Sequence, residues 1–209
     1  DVLRRNNIPF AVICVLTARS LDHADEIFDF FRNLGAISVG FNIDETESDN
    51  VSTLRGPELH RRFATFWARI LQLSRAHGQP FRLREFDQMM DAIRGPATGA
   101  GRVSTEANPL SIITVDVAGG LYTFSPELAG IPDPKGGDFR IGTVHDIEFE
   151  TLFDTPRFAA LNARIDTGVK ACRAECAHYD LCGGGAASNK LAEHGDFTGT
   201  ETDYCILTR

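Results

Sequence analysis

Four cysteines near the end of the chain are the feature that most restricts how it can fold. They follow a C-x3-C-x5-C-x22-C spacing at Cys172, Cys176, Cys182 and Cys205, and a Gly-Gly-Gly run comes directly after the third. The fifth cysteine, Cys14, lies far away along the chain. Three thiolates in one short loop and a fourth from a later segment can surround a single metal centre. The sequence therefore predicts a metal site formed by these four residues.

The kind of metal stays open on spacing alone. Soft sulfur ligands bind both tetrahedral zinc and iron–sulfur clusters. Structural zinc usually uses paired C-x2-C knuckles, which this chain lacks, whereas a cubane cluster needs a wider loop. A cluster, a zinc ion and no metal at all remain as alternatives, with the cluster favoured. Backbone N–H groups of the glycine run would donate to inorganic sulfide and adjust the potential of a cluster. Asn189 and Lys190 have two interpretations, the same role or an exposed surface pair, and the surface pair is the simpler one.

Charge and hydropathy exclude several classes of protein. The 209 residues have a formal net charge of −8 and a hydrophobic content of 43%, which suits a protein with a buried core and argues against binding nucleic acid or anionic membranes. No apolar run approaches the roughly 18–20 residues that span a bilayer. Five cysteines leave one unpaired, which does not fit a secreted disulfide framework. We expect a cytoplasmic protein with no nucleic-acid or membrane partner.

The first part of the chain alternates strand and helix patterns. Residues 10–16 form an apolar run typical of a strand buried on both faces, and residues 37–43 form a second strand. Helical patterns cover residues 17–34, 57–77 and 83–93. This order predicts an α/β fold with parallel strands and right-handed crossovers, as in half of a (β/α) barrel. Because two strands do not complete a sheet and the chain begins without Met, we interpret it as part of a longer protein.

A different pattern follows a stretch at 95–109 that is rich in Gly, Pro and Ser and is predicted to be a linker. Residues 110–116 and 121–124 are predicted to form a β-hairpin. Residues 139–144 add a short strand, and a helix pair precedes the cysteines. The second part is therefore predicted to be a separate α+β domain.

The cysteine segment resembles a known family. The stretch CRAECAHYDLCGGGAASNK at 172–190, followed by TDYC at 202–205, is similar to the SPASM domain of radical SAM enzymes, which mature ribosomally made peptides and proteins. Members usually hold two auxiliary [4Fe-4S] clusters there. The resemblance extends over nearly the whole chain. It implies that residues 1–107 are the C-terminal half of a radical SAM (β/α) barrel plus a linker, and that residues 108–209 are a SPASM-like domain.

Departures from the family pattern imply one auxiliary cluster instead of two. The family has a cysteine where this chain has Phe124, and another where it has Ala186. Those cysteines belong, in the family, to the first auxiliary cluster. The remaining set matches the ligands of the second, with its first spacing widened from x2 to x3. The resemblance therefore implies that one [4Fe-4S] cluster is bound by Cys172, Cys176, Cys182 and Cys205.

Three short sequence segments within this resemblance are similar to those of maturases that form cyclophanes. They are TFSPEL at 123–128, CGGG at 182–185 and SNK at 188–190. Such enzymes join an aromatic ring to a side-chain β-carbon after hydrogen abstraction. The resemblance implies a ribosomal precursor peptide as partner, and S-adenosyl-L-methionine (SAM) with a second [4Fe-4S] cluster in the full-length enzyme. Because the C-x3-C-x2-C loop of the SAM cluster is not among these 209 residues, the chain alone is predicted to be inactive.

Polar residues at the ends of the two predicted strands are candidates for catalysis or SAM binding. In (β/α) barrels, functional side chains gather at the C-terminal ends of strands. This rule points to Thr17 after the first strand and to Asn42, Asp44 and Glu45 at the end of the second. The resemblance implies contacts with SAM or substrate there, with Asn42 the candidate for SAM; the alternative is a strand end followed by a solvated acidic loop. Cys14 is predicted to be a buried structural thiol.

Three functions stay open at this point. The first is the C-terminal portion of a radical SAM/SPASM oxidoreductase that forms a C–C crosslink in a precursor peptide. The second is a non-enzymatic peptide-binding module that is stabilised by a bound zinc ion or iron–sulfur cluster. The third is a radical SAM enzyme that modifies a folded protein, as sulfatase-maturing relatives do. Nothing in the sequence indicates an oligomeric state.

Overall fold

The computed structural model describes residues 2–47, 50–94 and 104–208. Contacts between Cα atoms divide the chain into two units: Asp1–Glu45 with Ser52–Pro96, and Thr46–Val51 with Ala97–Arg209. Most of the predicted linker, residues 95–103, is outside the described residues. In the parts of the chain that are described, no helix is both long enough and apolar enough to cross a membrane.

A parallel sheet of three strands, in the order β1-β2-β3, forms the first unit together with the helices around it. The elements in chain order are α1 (Val2–Arg5), β1 (Ala11–Leu16), α2 (Ala24–Leu34), β2 (Ser38–Ile43), α3 (Pro57–Ala76), β3 (Arg82–Leu83) and α4 (Arg84–Arg94). This alternation confirms the predicted α/β class and the predicted parallel strands. The helical pattern at 17–34 is interrupted, since a 3-10 turn at Ser20–Asp22 precedes α2.

The short strand β3 has no counterpart in the sequence prediction. It pairs in parallel with β2, with Arg82 opposite Ser38 and Leu83 opposite Val39. The strand has only two residues and runs directly into α4. Two residues show no periodicity, so the hydrophobic pattern has nothing to detect.

Strand β1 is exposed on one face, which corrects the prediction that both its faces are buried. Ile13 is 64% exposed and Val15 is 55% exposed, whereas Leu16 is fully buried. The exposed side chains alternate along the strand, as one face of a sheet does. Cys14 is half-buried, so its predicted full burial is wrong, although burial still raises the pKa of its thiol.

Aromatic side chains fill the core of the first unit. Phe41 of β2 lies edge-on to Phe66 and Trp67 of α3, with ring centroids 5.8 and 5.4 Å apart. Phe28 of α2 is fully buried, and each such side chain contributes about 1.5–3 kcal/mol through burial. Helix α2 ends at Gly35, whose φ of 74° is the left-handed conformation that glycine adopts at a helix end.

The second unit combines an antiparallel sheet with helices that include the cysteine segment. Its elements are β4 (Ile113–Val115), β5 (Gly120–Thr123), β6 (Gly142–Thr143), α5 (Pro156–Glu175), α6 (Tyr179–Cys182), α7 (Ala187–His194) and α8 (Asp203–Thr208), with the sheet in the order β4-β5-β6. The predicted hairpin and the short strand after it are confirmed. The predicted helix pair is wrong, because a 3-10 segment at Phe149–Asp154 precedes one long helix, α5.

The turn of the hairpin is held by Asp116. Its Oδ1 accepts hydrogen bonds from the N–H groups of Ala118 and Gly120, each at 2.8 Å, and its Oδ2 accepts one from the Tyr122 hydroxyl at 3.1 Å. The bond from Gly120 contributes most to holding the pKa of Asp116 below its ordinary value. The turn thereby fixes where β5 starts and where the residue after it, Phe124, enters the core.

Candidate metal centre

Three helices of the second unit supply the four cysteines of the predicted metal site. Cys172 lies in the last turn of α5, Cys176 caps that helix, Cys182 ends α6, and Cys205 lies in α8. The Cys176 N–H donates to the Cys172 carbonyl at 2.9 Å, which keeps the first two cysteines on successive turns. Cys172 is buried, Cys176 and Cys205 are half-buried, and Cys182 is exposed.

The glycine run after Cys182 turns the chain toward the other cysteines. Gly183, Gly184 and Gly185 have φ angles of 68°, 105° and 71°, a region in which a side chain is strained. A Cβ on Gly184 would lie 3.2 Å from Val169 of α5, and one on Gly185 would lie 3.9 Å from the Cys205 Sγ. Glycine at these positions therefore lets the loop pass close to both α5 and α8.

The four thiols influence one another electrostatically. Although Cys182 as a residue is exposed, desolvation of its sulfur by neighbouring atoms raises the pKa of the thiol. A hydrogen bond with the Gly184 backbone lowers this pKa, and negative charge on Cys205, Cys176 and Cys172 raises it. In the described residues, no group of three or more His, Cys, Asp or Glu side chains is arranged to hold a metal ion. The four thiols thus share one region without the geometry of a ligand set, and their role as ligands stays a prediction.

Lys190 is buried against this region, so the expectation of an exposed surface pair with Asn189 is wrong. Lys190 is 3% exposed and Asn189 is 6% exposed. The Lys190 Nζ donates to the Cys172 Sγ at 3.0 Å and to the Gly168 carbonyl at 3.1 Å. A buried ammonium is costly unless a negative group accompanies it. A set of thiolates bound to a metal or cluster is such a group, so the chemistry of the four thiols and of this lysine suits the predicted cofactor.

A second polar group points at the sulfur of Cys205. The Thr202 hydroxyl donates to the Cys205 Sγ at 3.1 Å and accepts from the Cys205 N–H at 3.1 Å. Thr202 is buried, so the hydroxyl is held in this orientation from within the fold. Hydrogen bonds to ligand sulfur are among the means by which proteins adjust the potential of a cluster.

The candidate Thr17 has a local structural role. Its N–H donates to the Ser20 hydroxyl at 3.2 Å, and its own hydroxyl lies 3.2 Å from the same oxygen. These contacts fix the start of the 3-10 turn after β1. Nothing in the contacts of Thr17 adds to the interpretation that it binds SAM or substrate.

Asn42 lies on the exposed face of the sheet, in contact with a residue that no sequence pattern indicated. The Arg84 side chain donates to the Asn42 Oδ1 at 2.6 Å, and its Nε donates to the Glu85 Oε1 at 2.9 Å. A Cβ on Gly40 would lie 2.5 Å from the Arg84 Cζ, so glycine there lets the guanidinium lie against the sheet. The Glu85 Oε1 also accepts from the Phe41 N–H at 2.9 Å.

Asp44 joins the loops that follow β1 and β2, which argues against a freely solvated acidic loop. Its Oδ2 accepts from the Thr53 N–H and hydroxyl, each at 2.8 Å. The Thr53 hydroxyl oxygen accepts from the Ala18 N–H at 3.0 Å, and the Asp44 N–H donates to the Leu16 carbonyl at 2.9 Å. Glu45 is half-buried directly after this network.

The chain is similar in sequence to one curated protein of greater length. No family model matches the chain. It is 40% identical over 205 residues to the uncharacterized protein sll1766 of Synechocystis sp., an alignment that covers 97% of this chain and 51% of that protein. The chain therefore spans about half the length of the curated relative it matches.

Solved structures of anSMEcpe, a radical SAM/SPASM enzyme, are similar over nearly the whole chain. The complex of anSMEcpe with bound AdoMet and Kp18Cys peptide gives a TM-score of 0.70 at 15% identity and covers 98% of this chain and 54% of that one. The structure with bound AdoMet gives a TM-score of 0.68 at 16% identity, covering 98% and 54%. At these identities the likeness shows the fold: an α/β chain that resembles part of anSMEcpe.

Proposed function

We propose that the chain is the C-terminal portion of a radical SAM/SPASM enzyme that modifies a peptide or protein. The observation that supports this most is a buried lysine hydrogen-bonded to one of four neighbouring thiols, on a fold that resembles anSMEcpe. In this proposal residues 1–107 are the C-terminal half of the barrel, with its linker, and residues 108–209 are the auxiliary-cluster domain.

One auxiliary [4Fe-4S] cluster would be held by Cys172, Cys176, Cys182 and Cys205. Such a cluster supplies one-electron transfer when it is bound. The chain's own residues would set its surroundings. Lys190 and Thr202 donate to two of the sulfurs, and the Gly184 backbone forms a hydrogen bond with Cys182.

The wall for SAM and substrate would include the exposed face of the parallel sheet. Arg84 orients Asn42 through a 2.6 Å hydrogen bond, and this pair would present polar groups to SAM. Glu45 and Thr17, at the ends of the neighbouring strands, would line the same wall. SAM and a second [4Fe-4S] cluster would be bound with residues of the longer protein that are not part of these 209.

The nature of the substrate is better supported as a peptide or protein in general than as a cyclophane precursor. The similar anSMEcpe structures hold the Kp18Cys and Cp18Cys peptides. This likeness favours the alternative of a protein-modifying enzyme, of the sulfatase-maturing kind, over the C–C crosslink in a ribosomal precursor peptide. Only the short segments TFSPEL, CGGG and SNK support the crosslinking reaction.

Anaerobic iron–sulfide reconstitution of the full-length protein tests the cluster. We expect Cys182→Ser to lower the iron content by about four atoms per chain, with a matching loss of absorbance near 400 nm. Cys14→Ser is the matched control and is expected to leave the iron content unchanged, because Cys14 lies in the other unit. Equal iron in Cys182→Ser and the unchanged protein would contradict the proposal, and stoichiometric zinc would support the non-enzymatic peptide-binding module instead.

A further inference from the structure

We propose that Lys190 is a positioning residue that raises the reduction potential of the auxiliary cluster, by holding a buried positive charge against one ligand sulfur. This inference rests on the proposed function, because it requires a cluster at the four cysteines. It goes beyond that proposal by assigning a role to a residue that is not a ligand.

The geometry directs the ammonium at sulfur. The Lys190 Nζ lies 3.0 Å from the Cys172 Sγ, and it also donates to the neutral Gly168 carbonyl at 3.1 Å. Lys190 is 3% exposed and Cys172 is 4% exposed, so water screens their interaction little. Within the described residues no carboxylate forms an ion pair with Lys190, and the sulfur is the acceptor able to bear negative charge.

Close packing fixes the ammonium in this position. A Cβ on Gly168 would overlap the Phe197 carbonyl and would lie 3.4 Å from the Lys190 Nζ. Glycine in the middle of α5 therefore leaves room for the Phe197 carbonyl, which lies beside the lysine. Lys190 itself lies in α7. The position of the charge is therefore set by α5, α7 and the backbone at Phe197, called the Phe197 segment below.

The charge favours the reduced state of the cluster. Reduction adds one electron and makes the cluster and its thiolates more negative. A positive charge a few ångströms away in a poorly screened site stabilises that additional negative charge. The potential is therefore expected to be higher with Lys190 than with a neutral residue of similar volume.

Lys170 provides a matched control on the neighbouring helix. It lies in α5, two residues before Cys172, but its side chain is 74% exposed and pairs with Asp166. Replacing it changes the net charge of the protein by the same amount as replacing Lys190. Because surface charges are screened by water and salt, the two substitutions separate a buried local charge from net charge.

The test is an EPR-monitored redox titration of the full-length, anaerobically reconstituted protein. The auxiliary signal is identified as the one that Cys182→Ser removes. We expect Lys190→Met to shift the one-electron reduction equilibrium at least tenfold toward the oxidised cluster, a fall in midpoint potential of ~59 mV per factor of ten. Lys190→Gln, which keeps a neutral donor, is expected to shift it in the same direction, and Lys170→Met is expected to leave it near the unchanged protein.

Each outcome decides between the two proposals. No cluster signal that depends on Cys182 would overturn the proposed function and this inference together. A signal whose potential is the same in Lys190→Met and Lys170→Met would overturn the inference alone. Failure of both Lys190 variants to load a cluster, with Lys170→Met loading normally, would replace the electrostatic role with a purely structural one.

Discussion

Phe124 combines two properties that rarely occur in one residue. Its side chain is fully buried, its φ is 72°, and its ring is stacked 6.4 Å from that of Phe158. A non-glycine residue in this region costs on the order of 1–3 kcal/mol, which burial of an aromatic ring offsets. In the family that the chain resembles, a cysteine stands here. An apolar ring packed in the core supports the proposal of a single auxiliary cluster.

Glu106 is held beside Phe124 by the neighbouring serine. The Ser125 hydroxyl donates to the Glu106 Oε2 at 3.0 Å, and the hydroxyl oxygen lies 3.4 Å from the Ser188 N–H. Burial raises the pKa of Glu106; the Ser125 hydrogen bond lowers it, and the charges of Glu127 and Glu47 raise it. The net result is a carboxyl that binds its proton more tightly in the folded state than in the unfolded one.

This raised pKa predicts a pH dependence of stability. Glu106 stabilises the folded state fully at pH values below its ordinary pKa of 4.5, and that contribution is lost as the pH rises through the folded-state pKa. We therefore expect the free energy of unfolding of Glu106→Gln to rise relative to the unchanged protein between pH 4.5 and neutrality. Urea unfolding across this range measures it. Glu148→Gln, at an exposed position, is the control, and parallel pH profiles for Glu106→Gln and the unchanged protein would contradict the assignment.

At the scale of elements, α5 organises the second unit. Its buried face, Phe158, Leu161 and Ile165, packs in the core, and its last turn presents Cys172. Gly168 lies between these two parts, where the Phe197 carbonyl approaches the helix closely. A glycine in a helix interior normally lowers stability, so close approach of another chain segment is the reason for it here.

Gly168→Ala is therefore expected to destabilise the protein, although alanine is the better helix former. Elsewhere in a helix the change would stabilise by about 0.5–1 kcal/mol; here overlap with the Phe197 carbonyl should reverse the sign and cost about 1–3 kcal/mol. The free energy of unfolding in urea gives the value. Ala160→Gly, at an exposed position of the same helix, should cost about 0.5–1 kcal/mol. Stabilisation by Gly168→Ala would show that the helix and the Phe197 segment separate readily.

Most elements follow from hydrophobic periodicity and turn chemistry, whereas contacts between elements do not. The pattern predicts the parallel strands, the long helix that starts at Pro57 and the hairpin, since each depends on local sequence. The two-residue strand β3, the burial of Lys190 and the contact between Arg84 and Asn42 depend on residues distant in sequence. Spacing predicts which cysteines are candidates, but not which side chains direct hydrogen bonds at them.

At the scale of the whole molecule, one face of the parallel sheet is exposed where the sequence predicted burial. Ile13 and Val15 are more than half exposed and lie on the same face of β1. Strand β1 is also an edge of its sheet, and unpaired apolar edges favour association with other chains. In the proposed longer enzyme, the remainder of the barrel would cover this face.

The 209-residue chain studied alone is therefore expected to self-associate. The double variant Ile13→Thr/Val15→Thr should reduce the association seen in sedimentation velocity. Its free energy of unfolding should stay within about 0.5 kcal/mol because both side chains are already exposed. Val117→Thr, at an exposed hairpin position, is the control and should not alter association. A monomer at every concentration, with or without the substitutions, would contradict this expectation.

The segment Thr46–Val51 affects whether the two units can be exchanged separately during evolution. It belongs to the second unit although residues of the first unit precede and follow it. Inside that unit the charge of Glu47 contributes to the raised pKa of Glu106. A recombination event that exchanged everything after residue 96 would separate these six residues from the rest of their own unit. The units are therefore expected to diversify together within one gene, and not to be shuffled as independent modules.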